Sequence, residues 1–101
     1  MNISQQIQRA ENTLKYPLED FFTETWGKTR LFSHDIDHHR RVWNYAKELL
    51  EVINSHGVTF APEFPGKLMI ACYIHDLGMS VEPGFRHGIH SRELCRQFLQ
   101  K

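Results

Sequence analysis

Ile3, Ile7, Ala10 and Leu14 recur at intervals of four, three and four, the spacing that lines side chains along one face of an α-helix. Pro17 lacks an amide hydrogen and is expected to end that helix. The segment "PLEDFFTETW" then predicts a short second helix, with Pro17 in its first turn and Gly27 breaking it. From 37 to about 55, Val42, Ala46, Leu49, Leu50 and Ile53 form an apolar face, while Arg40, Lys47, Glu48 and Glu51 fall largely outside it. Gly57 lies just beyond, where a left-handed terminating residue is expected. After the loop "HGVTFAPEFPG", Pro65 suits the first turn of a helix over about 65–76. That segment is apolar almost all round and should be the most buried element, closed by Gly78. "MSVEPGFRHG" reads as a connection, and a last helix over roughly 89–100 turns Leu94, Cys95, Phe98 and Leu99 inward. No segment reads convincingly as a strand, and no repeat or low-complexity tract interrupts the pattern. The expectation is an all-α bundle of about five helices in one domain spanning 1–101.

Composition changes that picture little. Apolar residues at 41% and charged residues at 24% are ordinary for a globular chain, and the longest apolar run, "LMIACYI", is too short to cross a bilayer. Twelve basic and twelve acidic residues cancel with no block of either sign, which argues against a broad nucleic-acid-binding face. The start "MNISQQIQRAENTLKY" has none of the features of a secretion signal, so a cytoplasmic location is expected. Cys72 and Cys95 should then be reduced thiols in the core, since they lack the CxxC spacing of a redox or zinc pair.

Histidine is the deviation, with seven residues concentrated near aspartate, arginine and glycine. In "FSHDIDHHRRV", His38 precedes Val42 by four and Ala46 by eight, which places it on the apolar face of its helix. His39, rotated by about 100°, should face the rim or solvent. His34 and Asp35 fall at or before the helix start, where Asp35 or Asp37 can cap it and His34 can only support a neighbouring ligand. His75 and Asp76 end the apolar helix, where the exposed carbonyls favour a cation. His87 precedes Ser91 by four and Leu94 by seven, which aims it inward if the last helix starts a residue or two early. Each histidine alone has a plain reading as a hydrogen-bonded core residue. Together, three histidines and an aspartate from three helices can converge as ligands for a first-row metal ion.

The ordered set resembles the HD-domain family of metal-dependent phosphohydrolases. The resemblance rests on H-x-x-R-V in "HHRRV", an apolar run into the doublet of "LMIACYIHDLG", and a further histidine in "RHGIHSRELCRQFL", covering about 32–99. It implies that His38, His75 and Asp76 are metal ligands, and that His87 holds a second ion, with His90 one turn later as the alternative. It also implies one or two divalent ions, with Mn, Mg, Fe, Co, Ni and Zn not distinguished. The family completes its site with an aspartate on a later helix, and no carboxylate follows "CRQFLQK", so the expectation is the N-terminal portion of the domain. "LGM" after the doublet, in place of the "IGK" common in cyclic-dinucleotide phosphodiesterases of the family, disfavours that subclass.

The implied chemistry is hydrolysis of a small phosphorylated substrate, nucleotides among the class, by a metal-activated water. Asp76 would bind or bridge the ions, while Arg41, and secondarily Arg86, would meet the phosphate. Two other readings use the same residues: an HD-type di-iron oxygenase, and a non-catalytic metal-binding or interaction form of the bundle. A homo-oligomer is neither required nor excluded.

Overall fold

The computed structural model describes residues 2–26, 36–75 and 87–100, without the side chains of Trp26 and His87. Four helices account for nearly all of them: α1 over Ile3–Trp26, α2 over Ile36–Ser55, α3 over Phe64–Ile74 and α4 over His87–Leu99. Among the described residues there is no strand, and no helix is long and apolar enough to cross a membrane.

The first helix is opened by a reciprocal pair of bonds at its N-terminus. The Gln5 amide donates to Asn2 Oδ1 at 2.8 Å, and the Asn2 amide donates to Gln5 Oε1 at 3.0 Å. Such a box satisfies two of the amides that a helix start leaves without partners.

The helix then runs on through Pro17, where two helices were expected. Leu14 on one side of the proline and Leu18, Phe21 and Phe22 on the other belong to one apolar face, and the last three are buried. Burial of that face outweighs the lost backbone bond, and Pro17 itself is exposed, so the carbonyl one turn earlier can be hydrated. Pro17→Ala is therefore expected to raise stability by about 1–3 kcal/mol, seen as a higher urea midpoint. If the proline instead opened a second helix, where it is favourable, the same change would leave the midpoint unchanged or lower it.

The second helix is buried along His39, Trp43 and Leu50, at steps of four and seven. Its inward face is thus rotated from the expected one: Val42, Ala46 and Ile53 flank it half-buried, and Leu49 is 60% exposed. Trp43 decides the phase, because it offers more apolar area than any other side chain on the helix. The C-terminus ends as expected, with Gly57 at φ 92° and its amide donating to Asn54 O at 3.0 Å. Asn54 Nδ2 in turn donates to Val58 O at 2.9 Å, which holds the chain as it leaves the helix.

The third helix lies at the centre and packs against each of the other three. Met69, Cys72, Tyr73 and Ile74 are all buried, as its nearly uniform apolarity requires. It starts with Pro65 in the first turn, and its last backbone bond is His75 N–H to Ala71 O at 2.8 Å. The fourth helix buries Leu94 and Phe98, and the Phe98 ring meets Phe21 edge-on at 5.5 Å. Leu99, expected inward, is 64% exposed, because it falls about 100° round from Phe98. Cys72 is buried and Cys95 half-buried, both as free thiols.

Two glutamates on α1 tie the bundle together. Glu19 accepts Arg40 Nη2 at 2.7 Å and the Tyr73 hydroxyl at 3.4 Å, joining three helices, and Arg40 also reaches Asp37 at 2.9 Å. Glu11 accepts Trp43 Nε1 at 3.0 Å and Lys47 Nζ at 2.9 Å. The Arg40 bond holds the Glu19 carboxyl below its ordinary value of 4.5 against the opposing effect of burial. For Glu11, burial pushes upward, and the Lys47 and Trp43 bonds outweigh it, so this carboxyl too lies below 4.5. Burial and the Glu19 charge push the Tyr73 phenol up to about 12.

A carboxyl lowered by folding stabilises the fold above its unfolded value and loses that contribution as pH falls through its folded value. Unfolding midpoints should therefore drop as pH is taken below 4.5. At pH 7, Glu19→Gln is expected to cost about 1–2 kcal/mol. The Glu11→Gln, Glu19→Gln double variant should show a flatter acid limb, and an unchanged limb would contradict the assignment.

Candidate metal centre

The site forms where the start of α2 meets the end of α3. His38, His39 and His75 bring their rings together there, with centres 5.3 Å apart for His38 and His39, 5.2 Å for His39 and His75, and 6.4 Å for His38 and His75. Two imidazoles bound to one ion have ring centres within about 6.5 Å of one another, given metal–nitrogen bonds near 2.0–2.1 Å. All three pairs lie within that limit.

A single backbone oxygen organises two of the rings. Nδ1 of His75 lies 2.9 Å, and Nδ1 of His39 lies 3.2 Å, from the carbonyl oxygen of Cys72. A carbonyl oxygen can only accept, so both Nδ1 atoms carry hydrogen and donate to it. In the neutral rings the lone pair then resides on Nε2, the form in which histidine binds a metal. For His75 the bond is local: the residue three positions earlier in the same helix offers its carbonyl because the helix stops there.

His39 is not the rim residue that helical phase anticipated: it is 0% exposed. Its ring meets Phe22 edge-on at 4.7 Å, with His38 and His75 on other sides. The reason is the rotation of α2 toward Trp43, four residues further on, which carries His39 inward and leaves His38 half-buried at the boundary. The signal for this was the His39–Trp43–Leu50 spacing, which fits a buried stripe as well as Val42 and Ala46 do.

Arg41, three residues after His38, is exposed on the adjoining flank of α2. The neighbouring Arg40 is committed to Glu19 and Asp37. The last helix starts at His87, two residues earlier than expected, and Ser91 and Leu94 on it are buried. The side chain of His87 lies outside the described residues, as do His34, Asp35, Asp76 and Arg86 entirely. His90 is half-buried on α4.

Among the described residues, no group of three or more His, Cys, Asp or Glu side chains is arranged to hold an ion. By donor chemistry, the His38 and His75 imidazoles suit a divalent ion, as two members of a ligand set whose other expected members lie outside the described residues.

The HD-domain family model matches residues 35–101, about two thirds of the chain and every helix except α1. The chain belongs to the HD-domain family. No curated protein and no solved structure matches it. The matched region holds both the "HHRRV" segment and the doublet that name and pattern suggested, so the family resemblance read from those residues stands. HD domains typically bind divalent metal ions, and the family is in general one of metal-dependent hydrolases. An all-α bundle is likewise what an HD domain requires, here with four helices among the described residues where about five were expected.

Proposed function

We propose that this HD domain hydrolyses a phosphate ester of a small organic molecule, with one or two divalent ions at the junction of α2 and α3. The observation that carries the reading is the Cys72 carbonyl: by accepting from Nδ1 of His75, it leaves the lone pair of the doublet histidine on Nε2. His38 and His75 would hold the ion together with Asp76, and His87 would hold a second, with His90 as its alternative. The chemistry such an ion would supply is a coordinated water of lowered pKa and a polarised phosphoryl oxygen.

The chain's own residues supply the rest. The Cys72 carbonyl fixes the orientation of the His75 ring, so little freedom is lost when that ring binds. His39, fully buried against Phe22, closes the floor of the site and keeps water from its inner side. Arg41, exposed one turn after His38 on the adjoining flank of α2, carries a guanidinium whose planar fork suits two phosphoryl oxygens. Arg86 is the second cation for that role.

Turnover of bis(p-nitrophenyl) phosphate and of a panel of nucleotides, measured with each of Mn, Mg, Co, Ni, Zn and Fe, tests the reading. Activity with at least one ion, abolished by chelator and reduced by Arg41→Gln through a raised KM, is the expected result. Absence of p-nitrophenol release and of nucleotide hydrolysis with every ion, or oxygen consumption with iron in its place, would overturn it.

A further inference from the structure

Away from the metal centre, the outer face of α2 carries Tyr45, Leu49 and Val52 at steps of four and three, each more than half exposed. That spacing is the pattern of a helix face that receives another helix. Glu48 and Glu51 border the stripe, exposed and one turn apart. Neither makes an ion pair among the described residues, because the nearby Lys47 is taken by Glu11, and Arg40 by Glu19 and Asp37. Like charges one turn apart repel, so this edge favours a cationic neighbour.

The outer face of α4 is its complement. Arg92 and Arg96 lie there, exposed and four residues apart, with Ile89 one turn before and Leu99 one turn after, both more than half exposed. Arg92 has no acidic partner among the described residues, and Arg96 meets only Glu93, at 3.4 Å in a solvent-exposed pair that is readily exchanged. The arginines span about 6 Å along α4 and the glutamates about 4.5 Å along α2, so a single crossing brings both pairs within reach. Both faces are open to solvent, so they can meet only between two chains.

Pairings of like faces fail on charge. One α2 laid on another sets Glu48 and Glu51 against their own copies, and one α4 on another does the same for Arg92 and Arg96. An antiparallel α2 pair shifted to bring Arg41 opposite Glu48 would place Leu49 opposite Arg40 and Val52 opposite Asp37.

We infer that the outer face of α2 docks a second copy of this chain through the outer face of its α4, with Arg92 and Arg96 on Glu48 and Glu51, and Ile89 and Leu99 along the Tyr45, Leu49 and Val52 stripe. The contact is heterologous, so each copy gives one face and receives on the other. One helix on one helix is at the small end of specific interfaces, and the association is correspondingly weak.

Sedimentation equilibrium of the full chain tests this. In about 50 mM NaCl the weight-average mass should rise with concentration, with half-association at about 0.1–1 mM, and about 500 mM NaCl should weaken it at least about fivefold. The double variants Glu48→Arg, Glu51→Arg and Arg92→Glu, Arg96→Glu should each lose at least about tenfold in self-association. Mixed together they should associate as the wild type does, because the basic α2 of one then meets the acidic α4 of the other. Leu49→Ser, which reverses no charge, should weaken association at least about fivefold. EDTA should change none of these values, which separates the contact from the metal centre and from hydrolysis. A mass that stays at one chain throughout, self-association retained by either charge-reversed variant, or a mixture that fails to associate overturns the inference.

Discussion

His39→Ala is expected to destabilise the domain by about 3 kcal/mol, among the larger costs a single change can bring. Two effects add. The variant leaves a cavity the size of an imidazole between Phe22, His38 and His75, because the ring is 0% exposed and its neighbours come from α1, α2 and the end of α3. It also removes one donor from the Cys72 carbonyl, which keeps only the His75 bond. For a domain of this length, the expected fall in Tm is about 12–20 °C. His39→Leu, which restores volume without the donor, should recover roughly half of the loss. A residue on the rim would show changes within about 0.5 kcal/mol for both variants. Chemical denaturation of the three proteins at pH 7 separates these outcomes.

His75→Ala is expected to do the opposite: leave the fold nearly unchanged and remove activity. His75 is exposed, follows the last residue of α3, and makes its ring contacts at the edge of the core. Its loss should therefore cost less than about 1 kcal/mol. As a ligand it has no substitute among the described residues, so kcat/KM should fall by at least about a hundredfold, and more if the ion is lost altogether. A pronounced loss of stability with retained turnover would mean that His75 is a structural helix terminus. The pair of variants thus assigns opposite roles to two histidines whose rings lie 5.2 Å apart.

How much of this was legible in the sequence differs between elements. α3 was readable because an apolar segment bounded by Pro65 and a glycine has few alternatives, and Gly57 was readable because only a left-handed residue ends α2 there. Pro17 misled because local backbone chemistry argues for a break, whereas the burial that overrides it depends on α3 and α4, which are distant in sequence. The same limit applied to His39. A shift of one residue in helical phase separates the His38–Val42–Ala46 face from the His39–Trp43–Leu50 face, and the choice is made by where Trp43 finds room and a partner in Glu11. Leu99 was placed inward on the same kind of argument and lies outside for the same reason.

The approach of His38 to His75 was legible, since "HHRRV" and the "HD" doublet are each local, and the HD-domain match spans both. The Cys72 carbonyl was not. Backbone acceptors carry no residue signature, and this one becomes available to two rings only because α3 ends at Ile74 beside the first turn of α2.

The junction of α2 and α3 is proposed to hold a divalent ion through His38 and the doublet. Metal content settles it most directly, measured by inductively coupled plasma mass spectrometry on protein purified without added ions and then reloaded with Mn, Fe, Co, Ni or Zn. At least one equivalent of one of these ions should bind to the wild-type chain, and His38→Ala and His75→Ala should each lose it while His90→Ala or Arg41→Gln retains the first equivalent. Metal bound equally by the wild-type, His38→Ala and His75→Ala proteins, or by none of them, would contradict the account.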